Sequence, residues 1–166
     1  MAASAGLPNH LPPRERFFED FAVGEVFEFG DRVVDETEIV EFARKYDPQP
    51  FHTDPVAALD SSFGGLCASG WHTAAVVMRM FVDEFIAPAS AMGSPGVDEL
   101  RWVRPVRPGD RLRVSLRVLE TRRSNSKPDR GILKLRYDTL NQHGEIVMSI
   151  TSRAMLRSRH STNHER

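Results

Sequence analysis

The sequence predicts an α+β fold in which an antiparallel β-sheet wraps around a long buried central helix. Two observations predict it. The stretch from Trp71 to Phe85 is apolar on nearly all sides, and after it the pattern changes to period-two alternation in runs separated by turn residues. A helix apolar almost all round has to be enclosed. Alternating strands at hairpin spacing supply a sheet with one apolar face to enclose it. The 166 residues suit one domain with one substantial core.

The elements follow in order. Residues 1–15 are rich in Ala, Pro, Gly and Ser and read as a flexible tail, as does 158–166, which has no apolar face. The domain is expected over 16–157. Val26 to Phe29 and Arg32 to Val34 make a candidate first strand. Asp35 is placed as the N-cap of a helix, with Glu38 three positions on completing a capping box, and Ile39, Phe42, Ala43 and Tyr46 follow at helical spacing. Asp47-Pro48 ends this helix, because a residue before proline is pushed out of the α region. Three prolines between Asp47 and Pro55 predict a stiff loop rather than an element. Ser69, a favourable N-cap type, opens the apolar helix, which only Arg79, Asp83 and Glu84 interrupt with charge. Then Leu112, Val114, Leu116 and Val118 alternate with Arg113, Ser115 and Arg117, and Leu133, Leu135 and Tyr137 with Lys134 and Arg136. Ile146 to Leu156 is the last strand, and Pro108-Gly109-Asp110 and Asn141 to Gly144 supply turns. A strand, a helix, a buried helix and four further strands form the hot dog architecture.

Composition excludes several classes. With 40% apolar and 27% charged residues the chain is not disordered as a whole. Its 22 basic and 23 acidic residues, net charge −1, create no global field for nucleic acid or an anionic membrane. Arginines cluster locally at 101, 104, 107, 111, 113, 117, 122 and 123. They read as solvated strand faces, or as a site for an anionic tail such as a nucleotide phosphate. Cys67 is the single cysteine, so no intrachain disulfide forms, which fits a reducing cytoplasm. The N-terminus has no basic n-region or apolar h-region. No apolar run approaches the roughly 18 residues of a membrane helix. A cytoplasmic, soluble protein is expected.

Three stretches stand out, two of them candidates for chemistry. In Asp47-Pro48-Gln49-Pro50-Phe51-His52, a carboxylate and an imidazole five residues apart are held by prolines and could converge on one water. Adding water to a double bond conjugated to a carbonyl needs a base for the water and an acid for the α-carbon, work that suits histidine beside a carboxylate. The same residues also serve as turn caps in many proteins. The second stretch, Phe63 to His72, leads small residues into the start of the apolar helix. Free N–H groups there would stabilise a developing enolate oxygen, with Gly70 the natural donor; simple close packing also explains small residues. The third, Asp98 to Asp110, is an alternating strand and turn without chemistry of its own. His10, His160 and His164 in the tails and His143 in a turn read as solvated. His52, Asp54 and His72 lack the helical pairing or Cys/His clustering of a metal site, and none is expected.

Together these stretches resemble the MaoC-like dehydratase family, or hydratase 2, to which (R)-specific enoyl-CoA hydratases belong. Asp47 through His52 resembles the family's D-x-N-P-x-H loop, with Asp54 and Ala57-Ala58 as its continuation. Ser69-Gly70 falls at its His-Gly pair, Arg104-Pro105-Val106 to Gly109-Asp110 at its P-V-x-x-G-D turn, and Phe18 to Gly24 at its usual start. The resemblance covers roughly residues 17 to 157. It implies reversible syn hydration of a trans-2-enoyl-CoA to an (R)-3-hydroxyacyl-CoA, with Asp47 and His52 activating water and the Gly70 N–H holding the thioester oxygen. Gln49, Phe51, Ser69, Trp71 and His72 would line the substrate site. No metal or redox cofactor is implied, coenzyme A being part of the substrate, and a homodimer or higher homo-oligomer is expected. Gln49 replaces the family's Asn, and Ser69 its His. Alternatives are a mesaconyl-type hydratase of branched or dicarboxylic enoyl-CoA, a thioester hydrolase, and a non-catalytic acyl-CoA-binding module.

Overall fold

In the computed structural model, which describes residues 11–159, five strands form one antiparallel sheet in the order β1-β3-β4-β5-β2. They are β1 (Val26–Val33), β2 (Gly96–Trp102), β3 (Arg111–Arg123), β4 (Arg130–Leu140) and β5 (Ile146–Arg157). The alternation read from sequence sets which face is covered. Leu112, Val114, Leu116 and Val118 of β3, and Leu133, Leu135 and Tyr137 of β4, are buried, while most of their neighbours are not. A one-residue slip would exchange the faces, so this pattern fixes the register.

The buried face curls around α3 (Gly70–Met80) and the π-helical segment Phe81–Phe85 that continues it. Phe85 is fully buried where Phe21, Phe27, Phe29 and Phe81 converge on its ring at 5.1–5.7 Å. Burying one such side chain contributes roughly 2–3 kcal/mol. β1 passes close over α3 at an irregularity between Phe29 and Arg32. Gly30 sits there with φ 80°, and a Cβ on it would overlap the Met80 side chain. Only glycine accepts both conditions.

The fold is the expected hot dog, with local corrections. Asp35 caps α1 (Glu36–Tyr46) by accepting the Thr37 N–H, but Glu38 does not complete a capping box. Arg32 takes its carboxylate instead, at 2.7 Å. The proline-rich loop contains one helical turn, α2 (Pro50–Thr53), because Pro50 stands at a first-turn position where its missing N–H costs nothing. Parts of the two expected tails belong to the folded body. Residues 13–15 form a 3-10 turn, the Arg16 Nε donates to the Leu11 carbonyl at 2.8 Å, and Ser158 is buried with its hydroxyl on Glu19. The remainder of both tails, with His10, His160 and His164, lies outside the described residues. The central helix is not enclosed all round: Trp71, Met78 and Val82 are exposed, since one sheet covers only one side of it. No described helix is long and apolar enough to cross a membrane.

Candidate active site

α1, α2 and the start of α3 meet beside the end of β2, and a cavity of about 620 Å³ opens there. Asp47 is the C-cap of α1. Its carboxylate is gripped on both oxygens. The Ser69 hydroxyl donates to Oδ2 at 2.7 Å and the Gln49 amide to Oδ1 at 2.7 Å. Burial pushes the Asp47 carboxyl up, but these two hydrogen bonds and the nearby His52 outweigh it, and the group lies below the usual carboxylate range.

His52 is buried in the single turn of α2. Its Nδ1 lies 2.7 Å from the Cys67 carbonyl, which can only accept, so this nitrogen carries the proton. In the neutral ring Nε2 then holds the free lone pair, and it lies 3.5 Å from Asp47 Oδ2. Two proton acceptors thus face one small space, five residues apart in sequence. Phe51 packs edge-on against the imidazole at 4.5 Å, and Phe63 closes the same side. The Cys67 thiol, 3.7 Å from Nδ1, is pushed up by burial, with Arg107 opposing, so it stays neutral.

Ser69 is fully buried and acts in two directions. It donates to Asp47 and accepts the Trp71 N–H at 3.3 Å as the N-cap of α3. Gly70 follows as the first helical residue, on the cavity wall. A Cβ there would overlap the Trp102 indole, so the ring lies directly on the helix start.

The structure therefore brings Asp47, Gln49, Phe51, His52, Ser69, Gly70 and Trp71 to one cavity. His72 is not among them. It points to another side of α3, buried and stacked on Phe42 of α1 at 4.9 Å. The helical period turns His72 about 100° from Trp71 and about 200° from Gly70, onto the side of α3 that faces Phe42 of α1. Two residues that the sequence analysis does not assign to the site also line the cavity. Trp102 sits edge-to-face with Trp71 at 5.3 Å. Arg104 is the single lysine or arginine among the described lining residues, and its guanidinium lies 3.8 Å from Glu145. Trp102 gave no local signal, because its partners are some thirty residues away. The other clustered arginines are largely engaged: Arg107 donates to the carbonyls of Phe63, Gly65 and Leu66, and Arg101, Arg111, Arg113 and Arg123 pair with carboxylates. Among the described residues no cluster of three or more metal-binding side chains is present.

A sheet curled around one helix, with its cavity at the start of that helix, places the protein among the hot dog folds. The chain belongs to the MaoC-like domain family, whose model matches residues 20–136. Among solved structures it is similar to a MaoC-like dehydratase from Rhodospirillum rubrum, at 44% identity and TM-score 0.78, over 87% of this chain and 98% of that one. It is also similar to an (R)-hydratase from Pseudomonas aeruginosa, at 26% identity and TM-score 0.65, over 84% of each chain. A mesaconyl-CoA hydratase from Cereibacter sphaeroides is 39% identical over 70 residues, 42% of this chain and 20% of that protein.

Proposed function

We propose that the protein is a hydro-lyase that reversibly hydrates trans-2-enoyl-CoA to (R)-3-hydroxyacyl-CoA. The observation that carries this reading is the pair of acceptors, Asp47 Oδ2 and His52 Nε2, 3.5 Å apart beside the N-terminus of α3. A water bound between them donates to both. As its oxygen bonds to C3 of the enoyl thioester, the π electrons move onto the thioester oxygen, and one acceptor takes the water proton. The same proton then goes to C2 from the same side, so oxygen and hydrogen add syn. The N–H of Gly70, at the first position of α3, has no partner within the helix and lies where it would hold the enolate oxygen. Gln49 and Ser69 keep Asp47 ionised and aimed. The reaction so written needs no metal or redox cofactor; coenzyme A enters as part of the substrate. A cytoplasmic setting agrees with the single buried Cys67.

The functional unit we propose is a homodimer. Edge strand β2 is largely exposed along its length, and Trp71 and Met78 of α3 with Val82 of the segment that continues it form an exposed apolar stripe. Pairing along β2 would satisfy the open edge and cover the stripe at once.

One observation favours a narrower substrate. Arg104 lines the cavity, and its charge would suit a carboxylate on the acyl group, as a mesaconyl-type substrate would present. The test is loss of enoyl-thioester absorbance with crotonyl-CoA and mesaconyl-CoA, for the wild type and Asp47→Asn. Turnover of crotonyl-CoA to the (R)-alcohol, reduced about 100-fold or more in the variant, is the expected result, since a positioned general base contributes that much. Preference for mesaconyl-CoA would select the dicarboxylic reading. Tight acyl-CoA binding without turnover of either would overturn catalysis and leave a binding module.

A further inference from the structure

At the far end of the catalytic cavity an indole stands on each of α3 and β2. On α3 the lining stops at Trp71 and Thr73, and on β2 it stops at Trp102. One turn beyond Trp71 begins a second cavity of about 350 Å³, whose wall runs through Ala74, Val77 and Met78 of α3, Val97 of β2 and Ile150 of β5. The two cavities share no lining residue. They lie one after the other in the seam between the helix and the β2–β5 edge. Trp71 and Trp102 belong to the lining of the first cavity alone, edge-to-face at 5.3 Å, with the Trp102 ring seated against Gly70. The chemistry of the two spaces differs. The first holds the carboxylate, the imidazole and Arg104; the second is lined mainly by alanine, aliphatic, methionine and aromatic side chains, with Ser94, Ser152 and Arg153 among them.

We propose that Trp71 and Trp102 form the end wall of the acyl site and make the protein selective for short acyl thioesters. The proposal rests on the acyl-thioester reading given above. With the carbonyl at Gly70 and C3 at the Asp47–His52 pair, the remaining chain runs into the rings after few carbons. Val106 and Val147 close the core side as buried residues, and Phe51 and Phe63 are in tilted contact with centroids 5.1 Å apart on another side. Shrinking either indole would join the catalytic cavity to the apolar one and admit a longer tail. Met78, Val82 and Val97, on the rim of the second cavity, lie on the face proposed for dimer pairing. A partner there would roof that cavity and leave the tryptophans to decide whether the spaces communicate.

The experiment measures kcat/KM for trans-2-enoyl-CoA substrates of four, six, eight and ten carbons, with the wild type, Trp102→Leu and Trp71→Ala. Calorimetric titrations with butyryl-CoA and octanoyl-CoA, which cannot be hydrated, read binding on the same proteins. The wild type is expected to lose about tenfold or more between four and eight carbons, the discrimination an apolar wall provides. Each variant should raise the eight-to-four ratio at least about tenfold, in turnover and in binding. Trp71→Ala removes a ring exposed in the single chain, so it keeps the test open where Trp102→Leu fails to fold. Because Trp71 lies on the face proposed for pairing, each variant is compared at the wild-type mass by sedimentation. A wild type equally active on ten carbons, or folded variants with an unchanged ratio, overturns the wall. Selective binding of butyryl-CoA without turnover of any substrate upholds the wall and overturns the hydratase reading; no binding of either thioester overturns both.

Discussion

Ser69 shows how one small side chain serves both the helix and the chemistry. Its hydroxyl proton goes to Asp47 and its lone pair to the Trp71 N–H, so the start of α3 and the proposed base are fixed to each other. Ser69→Ala removes a hydrogen bond to a charged acceptor, worth about 1.5–3 kcal/mol. A loss of about 10- to 100-fold in kcat/KM is expected. The sign of the pH effect follows from the same bond. Asp47 is held low partly by Ser69, so without it the carboxyl rises and the acidic limb of the kcat/KM profile moves to higher pH. A variant that loses activity with that limb unmoved would mean that Ser69 only builds the helix. Asp47, His52 and the Ser69-Gly70 start were legible because their chemistry lies in short contiguous motifs. Trp102 and Arg104 were not, because their relevance depends on what the fold sets opposite them. Gln49 was legible as a lining residue, but its grip on the Asp47 carboxylate was not.

At the scale of elements, the contact between α1 and α3 contains a titratable group with no direct part in the proposed reaction. His72 of α3 is stacked on Phe42 of α1, and its buried Nδ1 has no hydrogen-bond partner. Burial pushes this imidazole below its usual value; Glu38 of α1 opposes the shift and Arg32 of β1 adds to it. A histidine whose folded pKa is depressed takes up its proton more readily when unfolded. Its neutral form therefore supports folding fully above the unfolded value, about 6.5, and that support is lost as pH falls through this value toward the folded one. His72→Phe keeps the stack and removes the proton site. The fall in Tm between about pH 7.5 and pH 5.5 should be smaller in the variant than in the wild type. An equal fall in both would place the acid sensitivity elsewhere. The strands were legible because period two is written in β3 and β4 almost without exception. The capping box was misread because Arg32, on a neighbouring strand, competes for Glu38, and no local motif records such a competitor.

The whole molecule leaves its central helix half dressed. Sequence apolarity signals that α3 is to be buried, but does not say which chain does the burying, so Trp71, Met78 and Val82 were expected inside and are found outside. The proposed pairing over β2 resolves this. Met78 is exposed in the single chain, so Met78→Glu should cost the monomer little while setting like charges face to face in a symmetric pair. Sedimentation should give twice the chain mass for the wild type and the mass of one chain for the variant. A monomeric wild type, or a variant that stays dimeric, would rule out this face as the interface.

The chain contains two tryptophans, and both stand on one wall. Its ultraviolet-excited indole emission therefore originates wholly at the proposed acyl site, with none from the sheet behind it. A spectral shift during chemical denaturation would mark the moment this wall opens to water. Peptide circular dichroism, by contrast, would follow the strands. Any lag between the two signals would be a direct reading of whether the site melts before the body that carries it.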